Sequence, residues 1–271
     1  MTYTGLLKIV MEKRFNKSVI TNSFFDGVLK ITRPSYVSEN LPLLTLIHVG
    51  GGYVDGDTYL TEVTLNESTA LALTTQAATK IYKSPRYGAT QTMNFVLKEE
   101  SALYVKQDSL ILYKDAKFFQ NTNVFMSSMA TFSYIDIITP GWSRDGKLFQ
   151  YEKLSSRLKV FVDGRLAVFD HLLLQPSEQL EEIMYLEGYT HVGTMFFINE
   201  KVNATFVDML REELSSNTDD GVRIGISLLS INGLSIRILA NSTDCIESIL
   251  SNCESYINQN LIKREKLEWR K

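Results

Sequence analysis

The sequence predicts a mostly β protein with two α-helices near its C-terminal end. From Gly5 to about Ile198, short runs rich in Val, Ile, Thr, Tyr and Phe alternate with turn residues, which is the pattern of successive strands. Within Tyr59–Leu65 neither alternating face is purely polar, so this strand fits a sheet covered on both sides. Strand periodicity does not decide between a sandwich, a barrel and a β-solenoid, and we find no repeat of fixed length.

Helical spacing of apolar residues begins only after the strand-rich region. Asn203 is placed to cap a first helix, and Asn232-Gly233 predicts a two-residue hairpin between two alternating runs. A second helix is predicted from near Thr243, where Asp244 and Glu247 have capping-box spacing. Its apolar stripe comprises Cys245, Ile246, Ile249, Leu250, Cys253, Ile257 and Leu261.

The sequence shows no internal domain boundary, because no linker rich in Pro, Ser or Gly separates its regions. We therefore expect a single domain over residues 1–271. It would consist of a β-rich body at about 1–198, a helix–hairpin–helix region at about 199–262 and a basic tail at 263–271.

Composition and charge exclude several classes of partner. The chain of 271 residues has 28 Lys and Arg against 31 Asp and Glu, a net charge of −3, which argues against nucleic-acid binding. Its apolar runs fall far short of the roughly 18 residues that cross a bilayer, and the N-terminus lacks the apolar core of a signal peptide. We expect a cytoplasmic protein that binds neither nucleic acid nor membrane.

The known catalytic and cofactor motifs are missing from the sequence. Gly51 and Gly56 have the spacing of a phosphate-binding loop, but Asp57 and Thr58 stand where Lys and Ser or Thr should meet the phosphates. The histidines are isolated, which disfavours a closed zinc site, and no nucleophile elbow is present. The sequence therefore predicts a non-enzyme without a tightly bound cofactor.

Two local features remain to be explained. Gly50–Gly52 can form a tight bend between strands, because glycine tolerates positive φ and close backbone approach. Asp136 lies in the apolar run Phe132–Ile138, where an acid is costly unless it is paired, hydrogen-bonded or bound to a cation. The sequence leaves both a structural partner and a cation open for Asp136.

Several motifs carry a family resemblance. The segment Gly51-Gly52-x-x-x-Gly56-Asp57 is followed by Glu62 and by a threonine-rich run, Leu73–Ser84. Together these residues resemble the UreD (also called UreH) family of urease accessory proteins. Weaker agreement, covering roughly residues 25 to 175, continues through Gln107-Asp108, Ile135–Ile138, Gly141 and Leu154–Leu158.

The resemblance departs from the family pattern in one segment. Family members often have Gly-Arg and then Gly-Glu after the buried Asp, whereas here Trp142 follows Gly141 and Lys147 follows Gly146. The sequence leaves open whether Arg144 and Glu152 take over the role that the family's second acid carries.

The resemblance implies an elongated β-helix-like body of stacked sheets with two C-terminal helices. It also implies a scaffold and metallochaperone that binds apo-urease and links it, through the accessory protein UreF, to the nickel-carrying GTPase UreG. An internal polar passage would then handle Ni²⁺ in transit. The alternative is an all-β binding module, or a carbohydrate-active enzyme with an unrecognised site.

Specific residues can be assigned to these expected roles. Carboxylates and neutral oxygen dipoles together could guide a divalent cation without trapping it, unlike thiolates or several imidazoles. The carboxylates expected to meet nickel are Asp57, Glu62 and Asp136, and the expected passage lining is Thr74, Thr75, Gln76 and Thr79. For docking of a UreF-like partner we expect the basic tail with Lys263, Arg264, Trp269 and Arg270.

Overall fold

The computed structural model describes residues 2–176, 180, 185–215, 221–264 and 267–269. In these ranges the protein consists of two stacked β-sheets and two helices near the C-terminus, which confirms the predicted fold class. Sheet A has the strand order β15-β14-β12-β9-β6-β1-β2. Its strands are β1 (Gly5–Arg14), β2 (Lys17–Gly27), β6 (Thr58–Leu65), β9 (Ala89–Leu97), β12 (Lys117–Met126), β14 (Lys153–Val162) and β15 (Arg165–Leu174).

Sheet B follows the order β17-β18-β16-β13-β10-β7-β5-β3, with three short strands beside this path. The path contains β3 (Leu29–Ile31), β5 (Leu41–His48), β7 (Ala70–Gln76), β10 (Ala102–Lys106), β13 (Thr131–Ile138), β16 (His191–Ile198), β17 (Arg223–Leu228) and β18 (Gly233–Ala240). The short strands are β4 (Ser35–Ser38), β8 (Thr79–Ile81) and β11 (Leu110–Leu112).

The chain winds between the two sheets in the manner of a β-solenoid. From β5 to β14 the long strands alternate between sheet B and sheet A, and each pairs in parallel with the long strand of the next turn in its own sheet. Every second side chain of such a strand faces the space between the sheets. This space is filled by apolar residues, among them Phe95, Phe118 and Phe132, all fully buried.

The two helices cover the outer face of sheet B. Helix α1 (Ala204–Ser215) is capped as predicted, because Asn203 Oδ1 accepts a hydrogen bond from the Phe206 amide at 2.9 Å. Helix α2 (Thr243–Ile257) continues into a π-helix at Asn258–Ile262. The predicted stripe of α2 holds, with Ile246, Leu250, Cys253, Ile257 and Leu261 buried against the sheet.

Two sequence-based expectations about local structure were wrong. Strand β17 ends at Leu228 and β18 begins at Gly233, so the hairpin has a longer connection than the two residues predicted. Asn232 lies in that connection, where its backbone oxygen accepts from the Asn199 amide and its side chain donates to the Val202 carbonyl. The cap of α2 is Ser242, whose hydroxyl oxygen accepts from the Cys245 amide at 3.2 Å, and no capping-box bond forms.

Gly193 lets α2 sit directly on sheet B, which yields a stability prediction. A Cβ at this position would lie 2.4 Å from Cγ2 of Ile246, a fully buried side chain that has no room to move. Gly193→Ala is therefore expected to lower the free energy of unfolding by about 1–3 kcal/mol in urea denaturation. Gly225→Ala in β17, where an added Cβ meets nothing within 4 Å, is the control and should be near neutral. Equal stability of both variants would contradict this account of the helix–sheet contact.

Candidate functional site

The glycine-rich segment after β5 forms the bend that the sequence predicts. Gly52 has φ +139°, and an added Cβ would lie 2.5 Å from the Lys80 carbonyl oxygen. The neighbouring Tyr53 amide donates to the same carbonyl at 2.8 Å, and Tyr53 thereby pairs with Ile81 of β8. The segment and the β7–β8 connection together line a surface cleft of about 390 Å³.

Asp57 closes the turn that enters β6. Its carboxylate accepts hydrogen bonds from the Val54 amide at 2.8 Å, the Tyr59 hydroxyl at 2.7 Å and the Thr4 hydroxyl at 3.1 Å. The Tyr59 hydroxyl also lies 3.2 Å from Nε2 of His48, at the edge of the cleft. Both carboxylate oxygens therefore have structural partners, which is the turn-capping arrangement that Asp often adopts.

Glu62 lies on the other side of sheet A from the interior. Its neighbours in β6, Thr61 and Val63, are buried between the sheets, whereas the Glu62 side chain is partly exposed. It pairs with Lys8 on the adjacent strand at 2.8 Å. The structure therefore does not place Glu62 in a shared passage with Asp136, because alternation along a regular strand directs the two carboxylates to different surfaces of the fold.

Asp136 faces the space between the sheets and is 4% exposed. Its Oδ2 accepts from Nε2 of Gln120 at 2.8 Å and from the Tyr134 hydroxyl at 3.4 Å. The Tyr134 hydroxyl also accepts from the side-chain amides of Gln107 and Gln120, at 2.9 and 2.6 Å. Oδ1 of Asp136 has no hydrogen-bond partner among the described residues.

The polar contacts continue from Asp136 toward the β15–β18 end of the sheets. The register places Thr194 of β16 beside Asp136, and Arg237 of β18 beside Thr194. Arg237 donates to the Thr194 hydroxyl and to Oδ1 of Asp170 in sheet A, each at 2.7 Å. The Arg237–Asp170 ion pair thus ties sheet B to sheet A next to a surface pocket of about 300 Å³.

The predicted lining residues are divided between different surfaces. Thr75 belongs to the interior side, and its hydroxyl accepts from the Asp108 amide at 2.6 Å. Strand alternation places Thr74 on the side of sheet B that carries Ala72, yet Thr74 also borders the small interior cavity next to Thr75, and its buried hydroxyl has no hydrogen-bond partner among the described residues. Gln76 is exposed and Thr79 half-buried at the surface cleft. The four side chains therefore do not line one wall of a single passage.

The interior next to Thr75 is narrow. A cavity of about 10 Å³ lies there, lined by residues of both sheets that include Thr61, Gln91 and Gln107. This is about the smallest volume that holds one water molecule. The described interior is therefore a chain of polar contacts with a small void and not an open pore.

Unsatisfied oxygens are the chemical feature of this interior. Gln91 Oε1, Gln120 Oε1 and Asp136 Oδ1 are buried and have no hydrogen-bond partner within the ranges that the structure describes. Buried acceptors of this kind call for a donor, a water molecule or a cation. Sequence reasoning missed Gln91 and Gln120, although each of them interrupts the apolar face of an alternating strand.

Burial dominates the electrostatics of the site. Loss of water around the carboxyl raises the pKa of Asp136 to about 6, although the Gln120 amide, the Ile137 backbone amide, the Tyr134 hydroxyl and the charge of Arg237 oppose the shift. A divalent cation next to Oδ1 would favour the ionised form. The site therefore holds a carboxyl group whose protonation changes close to neutral pH.

The C-terminal tail packs back onto the fold. Nε1 of Trp269 donates to both carboxylate oxygens of Glu254, at 3.1 and 3.3 Å, and Lys106 reaches the same carboxylate at 3.4 Å. Arg264 lies 4.3 Å from the centre of the Tyr104 ring. Lys263 is exposed, and Arg270, which sequence reasoning assigned to partner binding, lies outside the described residues.

The described part of the chain contains no group of three or more His, Cys, Asp or Glu side chains that could hold a metal ion. None of its helices has the length and apolarity needed to span a membrane.

The fold and the site define a β-solenoid-like protein with a buried, oxygen-rich polar track between its sheets. The family model for the UreD urease accessory protein matches residues 3–270. The chain is 43% identical over 271 residues, the full length of both proteins, to the urease accessory protein UreD of Bacillus sp. (strain TB-90). It is 38% identical over 267 residues, 97% of this chain and 96% of the relative, to UreD of Staphylococcus aureus (strain bovine RF122 / ET3-1). The chain belongs to the UreD family of urease accessory proteins.

The raised pKa of Asp136 predicts how stability depends on pH. The folded protein binds this proton more tightly than the unfolded chain, so stability should fall as pH rises from about 4 to about 6. The cost levels off about one unit above the folded-state pKa, near pH 7, and it amounts to at most roughly 3 kcal/mol. Asp136→Asn removes the ionisation, so it should be more stable than the unmutated protein at pH 7.5 and lose this advantage near pH 4. If urea denaturation gave the same stability difference between Asp136→Asn and the unmutated protein at pH 4 and at pH 7.5, this prediction would be wrong.

The docked tail predicts different roles for the two tryptophans. Trp269→Phe removes the donor to the buried Glu254 carboxylate and is expected to cost about 1.5–3 kcal/mol in thermal or urea unfolding. Trp142→Phe is the matched control, because its indole N–H makes no hydrogen bond to a described residue and the ring is 51% exposed. An unchanged stability of Trp269→Phe would show that the tail is not held by this contact.

Proposed function

We propose that the chain acts as a scaffold and metallochaperone in urease maturation. It binds apo-urease and links it to UreF-like and UreG-like accessory proteins in the cytoplasm, and Ni²⁺ is its cargo. Membership of the UreD family supports this role, since the relatives that match this chain over nearly their full length are named urease accessory proteins. The chain itself carries out no catalysis in this proposal and keeps no tightly bound cofactor.

The observation that carries the nickel role is the buried Asp136 carboxylate with a free oxygen. In a protein interior such an oxygen is costly, and a cation that passes it compensates the cost. Gln120, which bonds to Asp136, and Gln91 beside it on the next strand offer neutral oxygens that can replace part of the hydration shell of Ni²⁺. With one carboxylate and no thiolate or imidazole at this position, binding stays weak enough for release.

The other predicted residues take more peripheral roles in this proposal. Asp57 holds the turn at the surface cleft, and Gln76 and Thr79 add polar groups to the wall of that cleft. Thr75 continues the interior track next to the small cavity. Thr74 borders the same cavity from sheet B. Glu62 lies on the outer side of sheet A, where its contribution is to support the strands through its ion pair with Lys8.

The tail contributes to partner docking through its exposed residues. Lys263 is the exposed residue among the predicted contacts that the structure describes, while Trp269 and Arg264 hold the segment against the sheet. A positive charge on a fixed segment suits the rim of a protein interface. Trp269 thus fixes the position of the segment, and Lys263 contacts the partner.

Nickel loading of co-expressed urease tests the proposal. Asp136→Asn keeps the shape of the side chain and removes its charge, so it should lower nickel per urease active site severalfold. Pull-down of the complex with urease and the accessory proteins should be unchanged, since the residue is buried. Full nickel loading in this variant would exclude the interior route, and loss of the complex would show that Asp136 is a structural residue.

Two carboxylates at other positions serve as controls for that experiment. Glu62→Gln changes a carboxylate on the outer side of sheet A, and nickel loss in this variant alone would place the route on the outer surface. Glu39→Gln changes an exposed residue between β4 and β5 and should leave both nickel loading and the complex unchanged.

A further inference from the structure

His48, the last residue of β5, lies half-buried at the wall of the surface cleft that the glycine bend forms. Both nitrogens of its ring are close to oxygen atoms. Nε2 lies 3.2 Å from the Tyr59 hydroxyl, and Nδ1 lies 3.3 Å from the Gly50 carbonyl oxygen. The chemistry of this histidine depends on which of these four atoms carry hydrogen.

Both oxygens that contact the His48 ring are hydrogen-bond acceptors. The single O–H of Tyr59 donates to Oδ2 of Asp57 at 2.7 Å, so the hydroxyl oxygen is left to accept on the side of His48. The Gly50 carbonyl has no hydrogen to donate. A neutral imidazole carries one N–H and one lone pair, so in either neutral tautomer a nitrogen lone pair faces an oxygen lone pair. The donor count of this contact is therefore short by one positive centre.

A cation at Nδ1 removes the conflict. With the hydrogen on Nε2 donated to Tyr59, the lone pair of Nδ1 and the Gly50 carbonyl oxygen both face the cleft. Two atoms bound to one metal ion at about 2.1 Å each, at right angles, lie about 3 Å apart. The observed 3.3 Å between Nδ1 and the carbonyl oxygen is close to that separation. The pair can therefore hold an ion without a large movement of the ring.

The groups behind the His48 ring are arranged as they are behind metal-binding histidines. Such histidines usually donate their second ring N–H to an acceptor that fixes the tautomer and the orientation of the ring. Here that acceptor is Tyr59, which is itself held by the Asp57 carboxylate. The Tyr53 ring stacks on Tyr59 with centroids 3.9 Å apart, so the hydroxyl has a fixed position. Asp57 thus favours positive charge at His48 through one intervening hydroxyl.

We propose that Nδ1 of His48 and the Gly50 carbonyl oxygen form a weak binding site for a divalent transition-metal ion at the wall of the cleft. An imidazole nitrogen suits Ni²⁺ and Zn²⁺, whereas Mg²⁺ and Ca²⁺ prefer oxygen ligands alone. Gln76 and Thr79 line the same cleft and offer further oxygens, and water completes the coordination. Lys80 also lines the cleft, and its positive charge opposes binding. With a single imidazole as anchor, the ion is held loosely enough to be passed on.

The site deepens the proposed function, on which the identity of the ion as cargo rests. Gln76 at the cleft directly follows Thr75, which borders the interior cavity. The cleft and the polar track therefore adjoin at the end of β7. In this role His48 receives Ni²⁺ on the side from which the track leads to Asp136.

Titration of the isolated, untagged chain with NiCl₂ tests the site directly. The imidazole resonances of its three histidines are followed by NMR, and paramagnetic broadening should begin at His48. His48→Gln should weaken Ni²⁺ binding about tenfold or more. His171→Gln is the matched control and should bind as the unmutated chain does, because Nε2 of His171 already accepts from Arg157 at 3.4 Å. Unchanged affinity in His48→Gln, or broadening that begins at another histidine, would overturn the proposal.

Tyr59→Phe tests the tautomer on which the site depends, and here Tyr59 is a positioning residue. Without the hydroxyl, the tautomer with hydrogen on Nδ1 satisfies the Gly50 carbonyl, so the ¹⁵N shift of Nδ1 should become that of a protonated nitrogen and Ni²⁺ should bind about tenfold more weakly. Tyr53→Phe removes a hydroxyl from the stacked ring and should change neither readout. Circular dichroism confirms that both variants are folded. A Tyr59→Phe chain with unchanged affinity, or an unmutated chain whose Nδ1 is protonated and unaffected by Ni²⁺, would contradict the proposal.

Nickel loading of co-expressed urease separates this site from the proposed function. His48→Gln should lower nickel per urease active site severalfold while the complex with the partners still forms. If the variant loses Ni²⁺ binding in the titration and urease is still fully loaded, the metal site stands and its assignment to the cargo route is overturned. If the unmutated chain captures neither urease nor an accessory protein, the proposed function fails, and the titration of the isolated chain alone decides for or against the site.

Discussion

The alternation of strands between two stacked sheets is the constraint on which the rest of the structure depends. Because each turn of the chain adds one strand to each sheet, equivalent positions on successive strands line up across the molecule. A polar residue at an inward position therefore lies beside the inward residue of the next strand. Asp136 and Thr194 are such neighbours, and so are Thr194 and Arg237. A polar track across the interior is a direct consequence of the winding.

This geometry also explains why the track is both costly and retained. A carboxylate at the position of Asp136 loses its water, and the two glutamine oxygens nearby add acceptors where donors are needed. An apolar residue in each place would pack at lower cost. Acceptors therefore exceed donors in this interior, and among the described residues Arg237 supplies a positive charge at one end of the row.

Sequence reasoning reached the fold class and part of the site for identifiable reasons. The strand-rich body and the two late helices follow from local periodicity, and Asp136 was visible because an acid in an apolar run has no local explanation. Gln91 and Gln120 were missed because a polar residue in an alternating strand is read as solvent-facing unless it is known which face of the sheet its side chain lies on. In the same way, Thr74 and Thr75 are successive residues of β7, so their side chains lie on opposite faces of sheet B, and the sequence alone does not tell which face is the inner one.

Long-range contacts account for the remaining differences. The tail has a basic sequence that suits a solvated extension, yet the Glu254 carboxylate on α2 gives Trp269 a buried partner 15 residues away. Asp57 could be assigned to a turn or to a cation from its sequence neighbours. The hydroxyl of Thr4, which directly precedes β1 and is 53 residues away in sequence, donates to one of the Asp57 oxygens and favours the turn role. No local pattern contains such partners.

The ion pair between Arg237 and Asp170 gives the interior track a direction. At the β15–β18 end, the guanidinium of Arg237 lies between Asp136 and the surface and is held by Asp170 at 2.7 Å, so a cation in the proposed nickel role would meet a positive charge there. At the Thr75 end it meets amide and hydroxyl oxygens and a small void. Repulsion between like charges in a medium of low dielectric is strong, so the barrier at the Arg237 end is the higher one while the ion pair is closed. In the proposed nickel role, the Thr75 end is therefore the favoured side of approach to Asp136, because the closed Arg237–Asp170 ion pair guards the other side.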